Sequence, residues 1–156
     1  MEGLTEKIRG IMNKLDIKSP PVPIEKIADL FSIRVVPFSG FPDNISGTIT
    51  KQKDVIFIGV NDKHSATRQR FTIAHELGHF LLNHEMGDQI IDDVFDRPTD
   101  KEREANNFAA ELLKPKDFLK QDIGKKLKIP DLARRYNVSE QALSIRLLKT
   151  GLINNL

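Results

Sequence analysis

The sequence predicts an α+β fold that is mostly helical, with a small three-stranded sheet and a pair of short helices at its C-terminal end. Apolar residues recur at helical spacing along most of the chain, whereas two segments of the first half are rich in β-branched residues. With 156 residues, of which 39% are hydrophobic, the chain can bury one compact core. We therefore expect a domain over residues 1–128 and a helical pair over 129–156.

The elements of the first half follow from periodicity and turn residues. Helical spacing predicts helices over 5–15 and 24–31, separated by the rigid connector Ser19-Pro20-Pro21-Val22-Pro23. Residues 33–38 have the composition of a strand. Residues 46–50 and 54–60 are typical of a hairpin around Lys51-Gln52-Lys53, which completes the three strands.

The second half is predicted to be helical, except for a long loop. Ser65 can cap a helix that runs to about residue 83, and a loop follows over 85–99. A helix over 100–113 ends at Pro115. Further helices are expected over 116–126, 129–136 and 139–148.

The most specific motif is His75-Glu76-Leu77-Gly78-His79, an H-E-x-x-H pattern on the helix that begins near Ser65. Residues four apart lie on one face of a helix, so His75 and His79 can direct two imidazoles at one point. Two imidazoles and a neighbouring carboxylate suit a catalytic Zn²⁺, with Glu76 as the general base that activates water. The alternative is a buried helix whose histidines have only structural roles.

A catalytic zinc site usually has three protein ligands, so a third is required. Residue 85, where a longer form of the motif would have a histidine, is Glu85. The helix over 100–113 offers carboxylates instead, and Glu104 precedes its apolar face, four residues before Phe108. Glu104 is therefore the predicted third ligand and Glu102 the next candidate. The alternative for Glu104 is a solvated carboxylate at the helix start. His84 is expected at the helix end, with a role beside the ligands as the lesser alternative.

Composition narrows the class of protein. Without cysteine, neither disulfides nor thiolate metal sites can form. No apolar run approaches membrane-spanning length, and the first residues contain no apolar signal core, so a cytoplasmic location is expected. A net charge of +2 does not favour binding to nucleic acid.

The C-terminal pair is similar to a helix-turn-helix. Its pattern is Leu132-Ala133-x-x-Tyr136-x-Val138-Ser139, in which Ser139 caps the second helix. The second helix has only two basic residues, Arg146 and Lys149, so direct DNA binding is not favoured. Packing on the core and docking of a protein partner through Arg134, Arg135 and Arg146 both remain open.

These blocks together make the chain resemble the ImmA/IrrE family of bacterial and phage metallopeptidases. The resemblance rests on the H-E-x-x-H segment, on Glu104-Ala105-Asn106-Asn107-Phe108-Ala109-Ala110-Glu111-Leu112-Leu113-Lys114-Pro115 and on the helix-turn-helix-like pattern, and it covers nearly the whole chain. It implies a zincin-like fold, a cytoplasmic enzyme and a glutamate as third zinc ligand, which falls on Glu104.

The resemblance also implies a function. Better-known members inactivate helix-turn-helix repressors by site-specific cleavage, as anti-repressors in prophages and other mobile elements. We therefore expect a zinc endopeptidase with a repressor as its substrate. Two alternatives are a non-proteolytic antagonist or toxin–antitoxin-type partner of a repressor, and a DNA-binding regulator that uses the C-terminal helices.

Overall fold

The computed structural model describes residues 2–86, 89–91 and 98–154, which form seven helices and four strands. The elements in chain order are α1 (Glu2–Lys14), α2 (Ile24–Leu30), β1 (Ile33–Phe38), β2 (Ile45–Gln52), β3 (Val55–Asn61), α3 (Ala66–Leu81), β4 (Gln89–Ile91), α4 (Asp100–Leu113), α5 (Lys116–Ile123), α6 (Ile129–Tyr136) and α7 (Glu140–Lys149). The predicted α+β class is confirmed. None of the helices in the described ranges is both long and apolar enough to cross a membrane.

The sheet has the strand order β1-β3-β2-β4. The predicted hairpin is confirmed: β2 and β3 are antiparallel, and Lys53 turns the chain between them with a φ of 54°. β1 lies parallel to β3 on its other side. The short β4 pairs with β2 and lies inside the segment 85–99 that was predicted as a loop. The rest of that prediction over 87–88 and 92–97 falls outside the described residues.

The chain divides into two compact units. One, here called the sheet unit, is Pro23–Ala109, and the other, the terminal unit, combines Met1–Val22 with Ala110–Leu156. The predicted domain boundary between residues 128 and 129 lies inside the terminal unit.

In the sheet unit, α3 packs against β2 and β3. The helix begins at Ser65, whose hydroxyl accepts a hydrogen bond from the Arg68 backbone N–H. Gly47 allows β2 to approach α3 closely, since a Cβ at this position would lie 2.6 Å from Thr72 Cγ2 and 2.5 Å from the Gly59 carbonyl oxygen. The buried apolar residues of the helix and the two strands form the core of this unit: Ile73, Ala74, Leu77, Ile49, Ile58 and Val60.

A second close approach brings α4 onto α3. A Cβ at Gly78 would lie 3.1 Å from Phe108 Cδ1 and 3.2 Å from both Cα and the carbonyl oxygen of Ala105. Ala105 and Phe108 are completely buried. The absence of a side chain at Gly78 therefore sets how closely the first turns of α4 lie to the C-terminal half of α3.

In the terminal unit, the buried carboxylate of Asp122 organises the polar interior. It accepts hydrogen bonds from Tyr136 Oη at 2.8 Å, Arg135 Nε at 2.9 Å and Lys125 Nζ at 2.8 Å. Burial raises the pKa of Asp122, but these three donors outweigh it, and the pKa falls below its ordinary value. Tyr136 on α6 is thereby fixed to Asp122 in the last turn of α5.

The predicted α6–α7 pair is confirmed, with Asn137 at a φ of 53° in the turn and Ser139 as the cap of α7. Its arginines are less available than expected for a docking surface. Arg146 pairs with Glu111 and donates to the Lys114 carbonyl oxygen, and its side chain is largely buried. Arg135 is bound to Asp122, which leaves Arg134 as the strongly exposed member of the three.

Lys114 is an unusual buried cation in the same unit, with 3% of its surface exposed. Burial, and to a smaller extent the charge of Lys149, lowers the pKa of Lys114 to about 8. The folded protein therefore holds this proton less tightly than the unfolded chain does.

We expect Gly78→Ala to lower the free energy of unfolding by about 1–2 kcal/mol, because the overpacking cost exceeds the roughly 1 kcal/mol gained in helix propensity. Gly10→Ala in α1 is the matched control, since a Cβ there meets nothing within 4 Å. That variant should gain about 0.5–1 kcal/mol. Urea denaturation measures both, and equal stabilisation of the two variants would contradict the close crossing.

Lys114→Met should stabilise the fold at pH 7 by about 1–3 kcal/mol, because it removes a buried group that must be charged there. The wild-type protein should become more stable as the pH rises from about 8 towards the ordinary lysine pKa of 10.5, since only the unfolded chain remains protonated in this window. The advantage of the variant should therefore shrink at pH 10. Urea titrations at both pH values, with the exposed Lys120→Met as control, check this, and a gain independent of pH would refute it.

Candidate metal centre

The two histidines of the H-E-x-x-H motif lie side by side on α3. His75 and His79 are 2% and 7% exposed, and their Nε2 atoms are 2.9 Å apart. One helical turn separates the two residues, as the spacing predicted. The buried face of α3 thus presents two imidazole nitrogens at one point.

α4 adds a carboxylate to this point through Glu102. Its Oε2 lies 3.0 Å from His75 Nε2 and its Oε1 lies 3.1 Å from His79 Nε2. Among the described residues, His75, His79 and Glu102 form a group whose ligand atoms all lie within 4.8 Å of one another. This is the composition of a three-ligand metal site of the kind that H-E-x-x-H helices build.

Glu104, the residue that the sequence analysis assigned to this place, lies elsewhere. Its Oε2 is 2.9 Å from His84 Nε2, and its side chain is 59% exposed. At 100° per residue, Glu102 lies about 60° from the centre of the apolar stripe of α4 and Glu104 about 100° from it on the other side. The structure therefore brings Glu102, and not Glu104, to the two imidazoles. Asn106 lies one turn after Glu102 on the same side of α4. A second polar residue there could have indicated from the sequence that this side faces the histidines.

Asn106 determines which nitrogen of His75 is available. Its side-chain oxygen lies 2.8 Å from His75 Nδ1, and an amide oxygen can only accept. His75 Nδ1 therefore carries the proton, and Nε2 of the neutral ring keeps its lone pair. That lone pair points towards Glu102 and His79.

His84 has the same effect on His79. The two Nδ1 atoms are 2.9 Å apart, and His84 Nε2 lies 2.9 Å from the Glu104 carboxylate. Because the carboxylate accepts, His84 Nε2 is the donor, and its Nδ1 is free to accept from His79 Nδ1–H. The Nε2 of His79 then also keeps its lone pair.

Three electron-pair donors thus converge with no proton between them: two imidazole nitrogens and one carboxylate. Glu102 supplies the negative charge of this group, with its carboxylate oxygens 3.0 Å from His75 Nε2 and 3.1 Å from His79 Nε2. A divalent cation is the partner that satisfies all three groups at once. The donor set fits a borderline metal such as Zn²⁺, which accepts imidazole and carboxylate ligands.

Glu76 directly follows the first ligand position and is completely buried. It lies in the same turn of α3 as His75 and His79, where the motif places its general base. A buried carboxylate in this turn is chemically suited to take up and release a proton.

Comparisons with known proteins concern the fold and the family of this chain. A solved structure of a Mycobacterium tuberculosis transcriptional regulator matches the fold with a TM-score of 0.69 and 19% sequence identity, over 95% of this chain and 47% of that chain. The chain thus spans about half the length of that regulator, and at this identity the likeness concerns the fold alone. A search of curated proteins found no match.

The profile of a metallopeptidase family, described as the IrrE N-terminal-like domain (Peptidase_M78), matches residues 28–148, which include both histidines, Glu76 and all of α4. The match covers well over half of the sequence and confirms the family indicated by its motifs. The chain belongs to the Peptidase_M78 family of IrrE N-terminal-like domains.

Proposed function

We propose that this protein is a zinc-dependent endopeptidase that cleaves a helix-turn-helix transcriptional repressor at a specific site and so derepresses its genes. The observation that carries the proposal is the convergence of His75, His79 and Glu102 on one point beside the buried Glu76. Membership of a metallopeptidase family supports the reaction class.

The metal would be held by Nε2 of His75, Nε2 of His79 and the carboxylate of Glu102. Three protein ligands leave a position open for water or substrate, as in catalytic rather than structural zinc sites. When bound, Zn²⁺ lowers the pKa of a water molecule and polarises the scissile carbonyl. The roles of the protein's own groups follow from their positions.

Glu76 is the proposed general base. Its carboxylate takes the proton from the attacking water and later delivers it to the nitrogen of the leaving amine, so the glutamate is regenerated in each cycle. Burial keeps this carboxylate away from bulk water and beside the two histidines of the same helical turn. Asn106 and Glu102, both on α4, complete the arrangement by orienting His75 and balancing the charge of the site.

The proposed substrate class is supported by the family resemblance and by the structural neighbour, which is described as a transcriptional regulator. Selective cleavage requires contacts beyond the scissile bond, because remote binding energy positions the peptide for attack. We expect those contacts to include exposed side chains of α6 and α7, of which Ile145 and Leu148 are apolar.

The purified protein should bind about one equivalent of Zn²⁺. His75→Ala, His79→Ala and Glu102→Ala should each abolish stoichiometric binding, because each removes one of three ligands. Metal analysis after dialysis measures this, with the exposed Glu140→Ala on α7 as control. Undiminished zinc in Glu102→Ala would show that the third ligand is a different residue.

Glu76→Gln should keep both the fold and the zinc but lower the cleavage rate at least about 100-fold, since it removes the general base. The assay incubates the protein with the repressor encoded beside its gene and with casein, each with and without a chelator. We expect chelator-sensitive cutting of the repressor at one or two bonds and little cutting of casein.

Release of the repressor from its DNA without cleavage, equally by wild type and Glu76→Gln, would instead identify a binding antagonist. Rapid and unselective degradation of casein would contradict the proposed specificity.

A further inference from the structure

His84 and Glu104 have no part in the chemistry proposed above, yet His84 contacts the ligand His79, and Glu104 contacts His84. We propose that they are positioning residues which hold His79 in the tautomer and orientation that present Nε2 to the metal. This inference rests on the proposed metal site and assigns a function to two residues outside the ligand set.

The end of α3 explains how His84 reaches His79. The helix ends at Leu81, and Asn83 adopts a left-handed conformation with a φ of 57°. The His84 backbone N–H donates to the His79 carbonyl oxygen at 2.9 Å, and the Asn83 N–H donates to that of Phe80 at 3.2 Å. This is the hydrogen-bond pattern of a Schellman motif.

The Schellman motif turns the chain back over the helix end. The rings of His79 and His84 consequently lie 5.1 Å apart between centroids, and their Nδ1 atoms are 2.9 Å apart. The side chain of His84 is only 6% exposed, so its ring is confined to this position. On a continuing helix, a residue five positions later would point about 140° away from His79.

Glu104 determines the direction of the hydrogen bonds. Its carboxylate can only accept, so it selects the His84 tautomer with the proton on Nε2 and leaves His84 Nδ1 as an acceptor. Without this carboxylate, His84 can carry its proton on Nδ1 instead. The nitrogen of His79 that faces it would then have to accept, its proton would move to Nε2, and the metal-facing lone pair would be lost.

The two ligand histidines are thus oriented by different groups. A single amide oxygen of Asn106 serves His75, whereas a histidine and a carboxylate in series serve His79. Loss of such an outer partner typically lowers metal affinity 10- to 100-fold. Because Glu104 is 59% exposed, its removal should lower metal affinity by an amount at the low end of this range. Removal of the buried His84 should lower it more.

The test is the Zn²⁺ affinity of the full chain, measured by competition with a chromophoric chelator. His84→Phe keeps a ring but offers no acceptor, and it should weaken Zn²⁺ binding about 10- to 100-fold. His84→Gln restores a side-chain oxygen opposite His79 Nδ1 and should recover most of that loss. Glu104→Ala should weaken binding by less than His84→Phe, and Glu102→Ala serves as the variant that lacks a direct ligand.

A second measurement separates orientation from mere structural damage. In the metal-free wild-type protein, ¹⁵N spectra of the histidine rings should show His79 with its proton on Nδ1. In His84→Phe and Glu104→Ala the Nε2–H tautomer should gain population, while the amide spectrum of the sheet unit is preserved. If His84→Phe does not fold, the exposed Glu104→Ala variant provides the test alone.

Wild-type affinity and an unchanged His79 tautomer in both His84→Phe and Glu104→Ala would overturn the inference while leaving the metal site intact. Complete loss of zinc in Glu104→Ala, with retention in Glu102→Ala, would also overturn it by making Glu104 a direct ligand. Failure of the wild-type protein itself to bind Zn²⁺ would refute the proposed function instead.

Discussion

The close crossing of α3 and α4 at Gly78 is the constraint on which the candidate site depends. The ligand positions on α3 need a third group from outside the helix, since residues one turn apart can supply only two converging imidazoles. Ala105 and Phe108 pack against Gly78 with no intervening side chain, and the turn of α4 that precedes them carries Glu102. The glycine inside the motif therefore positions the carboxylate, because the close packing of α3 against α4 determines where Glu102 lies.

The polar residues around the three converging groups determine what those groups can bind. Asn106 and the His84–Glu104 pair hold the Nδ1 protons of the two histidines, which leaves both Nε2 lone pairs facing a negative carboxylate. Such an arrangement is costly in a buried place unless a cation completes it. The same groups would make metal binding strong, and α3, the residues that follow it and α4 supply all of them within the sheet unit.

Much of the fold and of the site could be predicted from the sequence, wherever a feature depends on residues that lie close together in the chain. Helical spacing placed His75 and His79 together, and alternation with turn residues placed the hairpin. The third ligand could not be predicted in this way. Glu102 and Glu104 lie on opposite sides of the apolar stripe of α4, and only the position of α3 determines which of them reaches the histidines. His84 was expected at the end of the helix, and it lies there, but its contact with His79 depends on the left-handed conformation of Asn83, which helical spacing does not predict. β4 has three residues, too few for a periodic signal, and its pairing with β2 depends on tertiary structure.

In the proposed site, His75, His79 and Glu102 share one metal ion. The most direct measurement is a crystal structure of the zinc-loaded protein with anomalous diffraction collected on both sides of the zinc absorption edge. We expect a single strong anomalous peak about 2.0–2.2 Å from Nε2 of each histidine and from a carboxylate oxygen of Glu102. A peak bonded to Glu104 or His84, or none between the two imidazoles, would contradict it.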